Sequence, residues 1–267
     1  QLLRIYNTVR PEQVFVTGTP QFDFHFRREF RWTREEFCAR VGADPARPVV
    51  LYTTGMANHM PDEPRVVEGI AAMLREMTDG GPPPQLLVRV YPKDRSGRFG
   101  EVRRRNPDVL FPDIPWEPAW HTPRIEDAHL LTNMLLHCAV GINVASTVSL
   151  ELCMFDKPVI NVGYTPSGAD ESRDEYGRFY KFDHYRPVVE SGAVRLVNSE
   201  AEMPAALRRA LTAPREDAAK RRALIKGMFG ATLDGYAGVR VADRLVKLAE
   251  EKGTLPAVNF QTQLDVA

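Results

Sequence analysis

The chain has 267 residues, 43% of them hydrophobic, and balances 35 Lys and Arg against 35 Asp and Glu. This length buries a sizeable core as one domain or as two small ones. The absence of net charge excludes a whole-molecule field that would gather nucleic acid or acidic membrane, so any anion site must be local.

In chain order, β-rich runs fall at 14–17, 49–53, 86–91, 109–111, 140–143, 159–162 and 194–197. Most are continuous rather than alternating, as strands covered on both faces are. Residues 63–78 place Val66, Val67, Ile70, Met73, Leu74 and Met77 at helical spacing, and 126–138 repeat the pattern with Leu130, Leu131, Met134, Leu135 and Cys138. Residues 200–250 read as helical, broken at Gly227, Gly230 and LDGYAG (233–238), and the Pro-rich segments 81–84 and 112–123 read as loops. Strand and helix in alternation predict an α/β fold with a doubly wound, Rossmann-like parallel sheet and a helical C-terminal segment. Six strands are expected between 48 and 198. We expect 1–47 to be a lead-in segment or linker, 48–250 the domain built on this nucleotide-binding type of sheet, and 251–267 a tail.

No apolar stretch reaches the roughly 20 residues that cross a bilayer, and the N-terminus lacks the pattern of a signal peptide. Peripheral membrane contact is left open. Cys38, Cys138 and Cys153 show no paired spacing, which fits a reduced, cytoplasmic compartment. The sequence opens at Gln1 rather than Met, and we expect it to be a fragment. The six histidines show no ligand spacing, so neither a metal nor a cofactor is expected.

INVASTVSLELCMFDKPVINVG (142–163) sets Ser146 and Thr147 between an apolar run and a helix carrying Glu151. A helix starting there offers free N–H groups, a dipole and two hydroxyls to an anion, with Glu151 one turn on and able to accept from ribose hydroxyls. The same residues also serve as an ordinary N-cap with a solvated acid, and spacing alone does not separate the two readings. LYTTGMANHM (51–60) has one glycine, Gly55, and neither a dinucleotide nor a P-loop signature; Thr54 and Gly55 could let backbone approach a phosphate, or simply form a flexible turn. VRVYPKD (88–94) brackets a Pro turn with Arg89 and Lys93, either positive charge for a diphosphate or a solvated loop. Trp116 and Trp120 either cover a base or pin a long loop. Asp170, Glu171, Asp174 and His184 form a polar stretch after the 159–162 run, and His184 with Tyr185 are the acceptor-side candidates.

Four segments carry a resemblance: VFVTGTPQFD (14–23), LLVRVYPKD (86–94), DAHLLTNMLLHCAVGINVASTVSLELCMFDKPVINVG (127–163) and LDGYAGVRVADRL (233–245). Together they resemble the C-terminal, donor-binding half of GT-B glycosyltransferases, especially bacterial surface-polysaccharide and CDP-glycerol glycerophosphotransferase-like members. The resemblance implies that Ser146 and Thr147 hold donor phosphate and Glu151 the ribose. Tyr91 stands where the family has the histidine of Arg-x-His-Pro, and Asn143 where retaining members carry a first acid, which favours an inverting, metal-independent transfer. It further implies a nucleotide diphosphate sugar as substrate, a sugar or lipid-linked acceptor, and a preceding acceptor domain that is not found before residue 14. A glycerophosphotransferase, a nucleotide-sugar epimerase and a non-catalytic nucleotide-binding module are the alternatives.

Overall fold

A computed structural model describes residues 9–78, 81–169 and 176–253. The chain divides into two compact units, residues 29–228 and residues 1–28 with 229–267. The expected boundary at 47 does not coincide with this division: residues 29–47 belong to the larger unit, and the segment 233–245 belongs with the N-terminal residues.

In the larger unit five parallel strands form one sheet: β1 (Val49–Thr53), β2 (Gln85–Arg89), β5 (Val140–Asn143), β6 (Val159–Val162) and β7 (Arg195–Val197), in the order β2-β1-β5-β6-β7. Two further strands, β3 (Trp116–Glu117) and β4 (Thr122–Pro123), make a separate antiparallel pair inside the Pro-rich loop. All residues of β1, β2, β5 and β6 are buried, which is why their sequences run apolar without alternation. The doubly wound α/β expectation therefore holds.

Two of the expected strands are absent. Residues 14–17 form no strand, and Phe15 and Val16 are exposed. At 109–111 only Leu110 pairs, bridging Leu87 at the edge beside β2, because a turn precedes it and Pro112, which lacks an N–H, follows.

After α1 (Asp23–Phe26) and α2 (Arg34–Val41), the helical spacings are realised in α3 (Glu63–Glu76) and α5 (Ile125–His137). Helix α3 sets Pro64 in its first turn, where a missing N–H costs nothing, and buries Val66, Val67, Ile70 and Leu74. These pack with Val50, Tyr52, Val88 and Ile142 of the sheet. Helix α2 lies outside every sequence expectation, although Thr33 and Glu36 make a reciprocal capping box and Gly42 closes it at φ 73°. Phe37 of α2 stacks on His137 of α5 at 5.1 Å. Helix α4 (Gly100–Arg105) precedes the Leu110 bridge. Helix α6 (Val148–Met154) follows β5 and seats Leu152 against Gly141, where an added Cβ would lie 2.1 Å from Leu152 Cδ1. After α7 (Arg186–Glu190), helices α8 (Met203–Thr212) and α9 (Ala218–Phe229) complete this unit.

In the smaller unit α10 (Ala237–Glu251) has its first N–H groups accepted by a carboxylate 214 residues earlier: Ala237 N donates to Asp23 Oδ1 at 3.0 Å and Gly238 N to Asp23 Oδ2 at 2.8 Å. Arg240 donates to the carbonyl of Thr17 at 2.7 Å, so the 14–23 and 233–245 segments are one structural piece. Among the described residues no helix is long and apolar enough to cross a membrane.

Candidate functional site

From β1 the chain moves to β2 on one side of the sheet and later returns to β5 on the other. This makes the β1/β5 boundary a topological switch point, where the loops leaving the carboxyl ends diverge and leave a crevice. A cleft of about 410 Å³ opens there. Its walls come from the turn after β1 (Thr54, Gly55, Met56, His59, Met60), from Tyr91 after β2, from the turn after β5 (Val144, Ala145, Ser146, Thr147) and from Phe179, Phe182 and His184.

The β5 turn is tightly organised. Asn143, fully buried, accepts at Oδ1 from Ser146 N (3.3 Å), Ser149 Oγ (3.0 Å) and Asn161 Nδ2 (2.9 Å). Ser146 Oγ accepts from Val148 N at 3.2 Å, and Tyr180 Oη from Ala145 N at 3.1 Å. Ala145 sits at φ 38°, a left-handed conformation that costs a non-glycine residue energy and persists only where its surroundings impose it. These bonds correct the expectation of a row of free N–H groups at the start of α6, since several of the turn's amides already have acceptors. Thr147 is exposed and lines the cleft.

The β1 turn is pinned from beneath by groups to which the sequence gives no role. Glu63 is completely buried; its carboxylate accepts from Gly55 N at 2.9 and 3.0 Å and from Tyr52 Oη at 3.1 Å, and pairs with Arg98 at 3.0 Å. Burial pushes the Glu63 carboxyl up to about 7, with Arg98 and the Gly55 N–H pulling the other way. Arg98 also donates to the carbonyls of Gly55 (2.9 Å) and Met60, and pairs with Asp94 at 2.7 Å. Burial raises the Asp94 carboxyl, but hydrogen bonds from Ser96 and Arg98 outweigh it and hold it below the usual range. One guanidinium thus ties the turn after β1 to the turn after β2. Thr54 Oγ1 adds a second tie by accepting from Tyr91 N at 2.8 Å.

Ser146, Thr147, Thr54 and Gly55 line the cleft, and so does His184, expected on the acceptor side. Arg89 does not: it is buried at the end of β2 in a two-pronged pair with Asp127 of α5, at 2.6 and 2.7 Å, which neutralises the charge expected to face phosphate. Lys93 is exposed in a turn outside the lining. Glu151 is buried one turn beyond Thr147 and is also outside the lining. Tyr185 is a core residue rather than an acceptor-side group; its hydroxyl donates among Ser149 Oγ (2.8 Å) and Asn161 Oδ1 (3.0 Å), and burial pushes it up to about 12. Trp116 carries Arg95 over its ring at 4.1 Å and Trp120 is 79% exposed on the β3–β4 hairpin, so neither covers the cleft. Asp170, Glu171 and Asp174 lie outside the described residues.

The aromatic wall comes instead from His59, Phe179, Phe182 and His184, whose rings form a continuous row. Centroids are 6.3 Å apart for His59 and Phe179, 5.9 Å for the two phenylalanines, and 5.7 Å for Phe182 and His184. The density of rings in GRFYKFDHY (177–185) was the sequence signal for it. Among the described residues no group of three or more His, Cys, Asp and Glu is placed to hold a metal ion.

No protein-family model matches the sequence, and no curated protein does. Solved structures do. The wall teichoic acid polymerase TagF, one of whose structures was soaked with CDPG, superposes with TM-score 0.57 and 12% identity over 92% of this chain and 54% of its own. A UDP-N-acetylglucosamine 2-epimerase superposes with TM-score 0.54 and 17% identity over 97% of this chain and 57% of its own. The UDP-GlcNAc 2-epimerase of Methanocaldococcus jannaschii, also solved with UDP-GlcNAc and UDP, gives TM-score 0.51 and 18% identity over 91% and 57%. The chain spans little more than half the length of these structures, and at such identities the likeness is one of fold: the parallel α/β architecture found in GT-B type enzymes.

Proposed function

We propose that this chain is the donor-binding part of a GT-B type glycosyltransferase, which moves a sugar from a nucleotide diphosphate sugar to an acceptor by in-line, metal-independent displacement. The observation that carries the reading is the cleft at the sheet's switch point, with the hydroxyl-bearing turn of Ser146 and Thr147 on one side and a row of rings on the other. A parallel sheet concentrates its ligand site there, and a nucleotide sugar needs both polar and stacking surface. In this reading Thr54, Gly55, Ser146 and Thr147 adjoin the diphosphate, and stabilising it as it leaves lowers the barrier. The ring row takes the stacking role first sought in Trp116 and Trp120. Glu151 enters as the acid for the ribose hydroxyls, a role that requires the cleft to deepen toward α6 when nucleotide binds.

A nucleotide-sugar epimerase is the second reading, favoured by the similar superposition on the epimerases. The two readings share the donor site and part at the product. A thermal-shift panel of UDP, CDP, GDP and their sugars should raise the melting temperature of the wild type, and Thr147→Glu, which sets a carboxylate on the cleft wall, should abolish the rise. A panel without effect, or an unchanged rise in Thr147→Glu, rejects the donor site. Conversion of a UDP-sugar to its epimer without an acceptor would select the second reading.

A further inference from the structure

The cleft holds a charge problem. The two cations placed by sequence at its diphosphate are not in its walls: Arg89 is neutralised by Asp127, and Lys93 lies outside the lining. Among the described residues no Lys, Arg, Asp or Glu side chain lines the cleft; the ionisable side chains there are His59, His184 and Tyr91. His59 and His184 are both exposed, stand at the two ends of the ring row and line the same cleft as Ser146 and Thr147.

We propose that His59 and His184 supply the positive charge against which the ligand's phosphates are held. The assignment rests on the reading that a nucleoside diphosphate occupies the cleft. Imidazole is the side chain whose charge changes between about pH 5 and 8, and as imidazolium it offers two N–H donors to phosphate oxygens. Phe179 and Phe182 keep the two rings apart as a spaced pair, and their edge and offset contacts fix the wall. Among the described residues, the other ionisable groups in the lining or beside its histidines and rings in the chain include Tyr91, Asp62, Lys181, Asp183 and Arg178. Asp183 pairs with Arg186 at 3.0 Å, and Arg178 lies over the Phe179 ring at 4.8 Å, while Glu63 beneath is held by Arg98.

The test is calorimetric titration with UDP, uridine and inorganic pyrophosphate at pH 6, on the wild type, His59→Gln, His184→Gln, the double variant and His184→Lys. Both positions are exposed, so melting temperatures should stay level. UDP affinity should fall on the order of tenfold in each Gln variant and further in the double variant, while uridine changes little. His184→Lys should restore affinity. Wild-type UDP binding that persists unchanged in the double variant overturns the imidazole assignment and leaves the nucleotide reading standing. Histidine-dependent binding of pyrophosphate without UDP binding does the reverse. Binding of neither anion overturns both.

Discussion

Glu63 poses a question that magnitudes decide. Its carboxyl is completely buried, and the displacement from 4.5 to about 7 corresponds to roughly 3 kcal/mol by which the folded chain prefers the neutral acid. Removing one partner of a buried ion pair ordinarily costs about 3 to 5 kcal/mol, because the other charge is stranded. Here Arg98 is not stranded, since Asp94 holds it at 2.7 Å. Glu63→Gln should therefore cost less than about 1 kcal/mol at pH 8, or stabilise, the amide oxygen still accepting from Gly55 N. Glu63→Ala strands Gly55 N–H and Tyr52 Oη and should cost about 2 to 4 kcal/mol. The pH dependence has a definite sign. A carboxyl raised in the folded state contributes stability that is full below pH 4.5 and is lost as pH rises through 7. Wild type should thus gain on Glu63→Gln by up to about 3 kcal/mol between pH 8 and 4.5, measured by urea unfolding at each pH. A loss of about 3 to 5 kcal/mol in Glu63→Gln at pH 8, with a difference that shrinks toward acid, would refute this reasoning and make Glu63 the ionised partner that Arg98 requires.

Asp127→Ala strands the buried guanidinium of Arg89 and should cost about 3 to 5 kcal/mol in denaturant unfolding, with most of it recovered in Arg89→Met/Asp127→Leu. Unchanged nucleoside diphosphate affinity in that double variant would show that binding does not need Arg89. Gly141→Ala drives a methyl against Leu152 and should cost about 1 to 3 kcal/mol; Leu152→Val in the same chain should return part of it, and additive losses would contradict the close approach of α6 to β5. Glu151→Ala should weaken nucleoside diphosphate binding by about 1 to 3 kcal/mol in calorimetry if the acid meets ribose, whereas a fall in melting temperature with unaltered affinity would make it structural.

The sheet is legible in the sequence because its strands are covered on both faces and so read as apolar runs, and α3 and α5 are legible because their buried residues recur at helical spacing. The turns carrying Thr54 and Ser146 follow from those runs, since the loops after parallel strands all leave from the same edge of the sheet. What fails to show is pairing across the chain. Arg89 reads as a free cation until folding brings Asp127, 38 residues on, against it, and Tyr185 reads as a surface tyrosine until Ser149 and Asn161 arrive beneath it. The tryptophans mislead because ring area signals stacking without saying against what; the hairpin turns Trp120 to solvent while His59 and Phe179, far apart in sequence, meet in the cleft. Helix α2 is a different kind of miss: its Thr33–Glu36 capping signal was present, but its short, mostly polar run gave no periodicity to attach it to.

Amide chemical-shift mapping of the ¹⁵N-labelled chain during titration with UDP, with CDP in parallel, tests most directly whether the switch-point cleft is a nucleotide site. The account predicts saturable shifts concentrated in 54–60, 144–148 and 179–184, with little change at the other end of the sheet around Met77, Ala139 and Leu211. Shifts concentrated at that opposite end, or none at millimolar nucleotide, would contradict it.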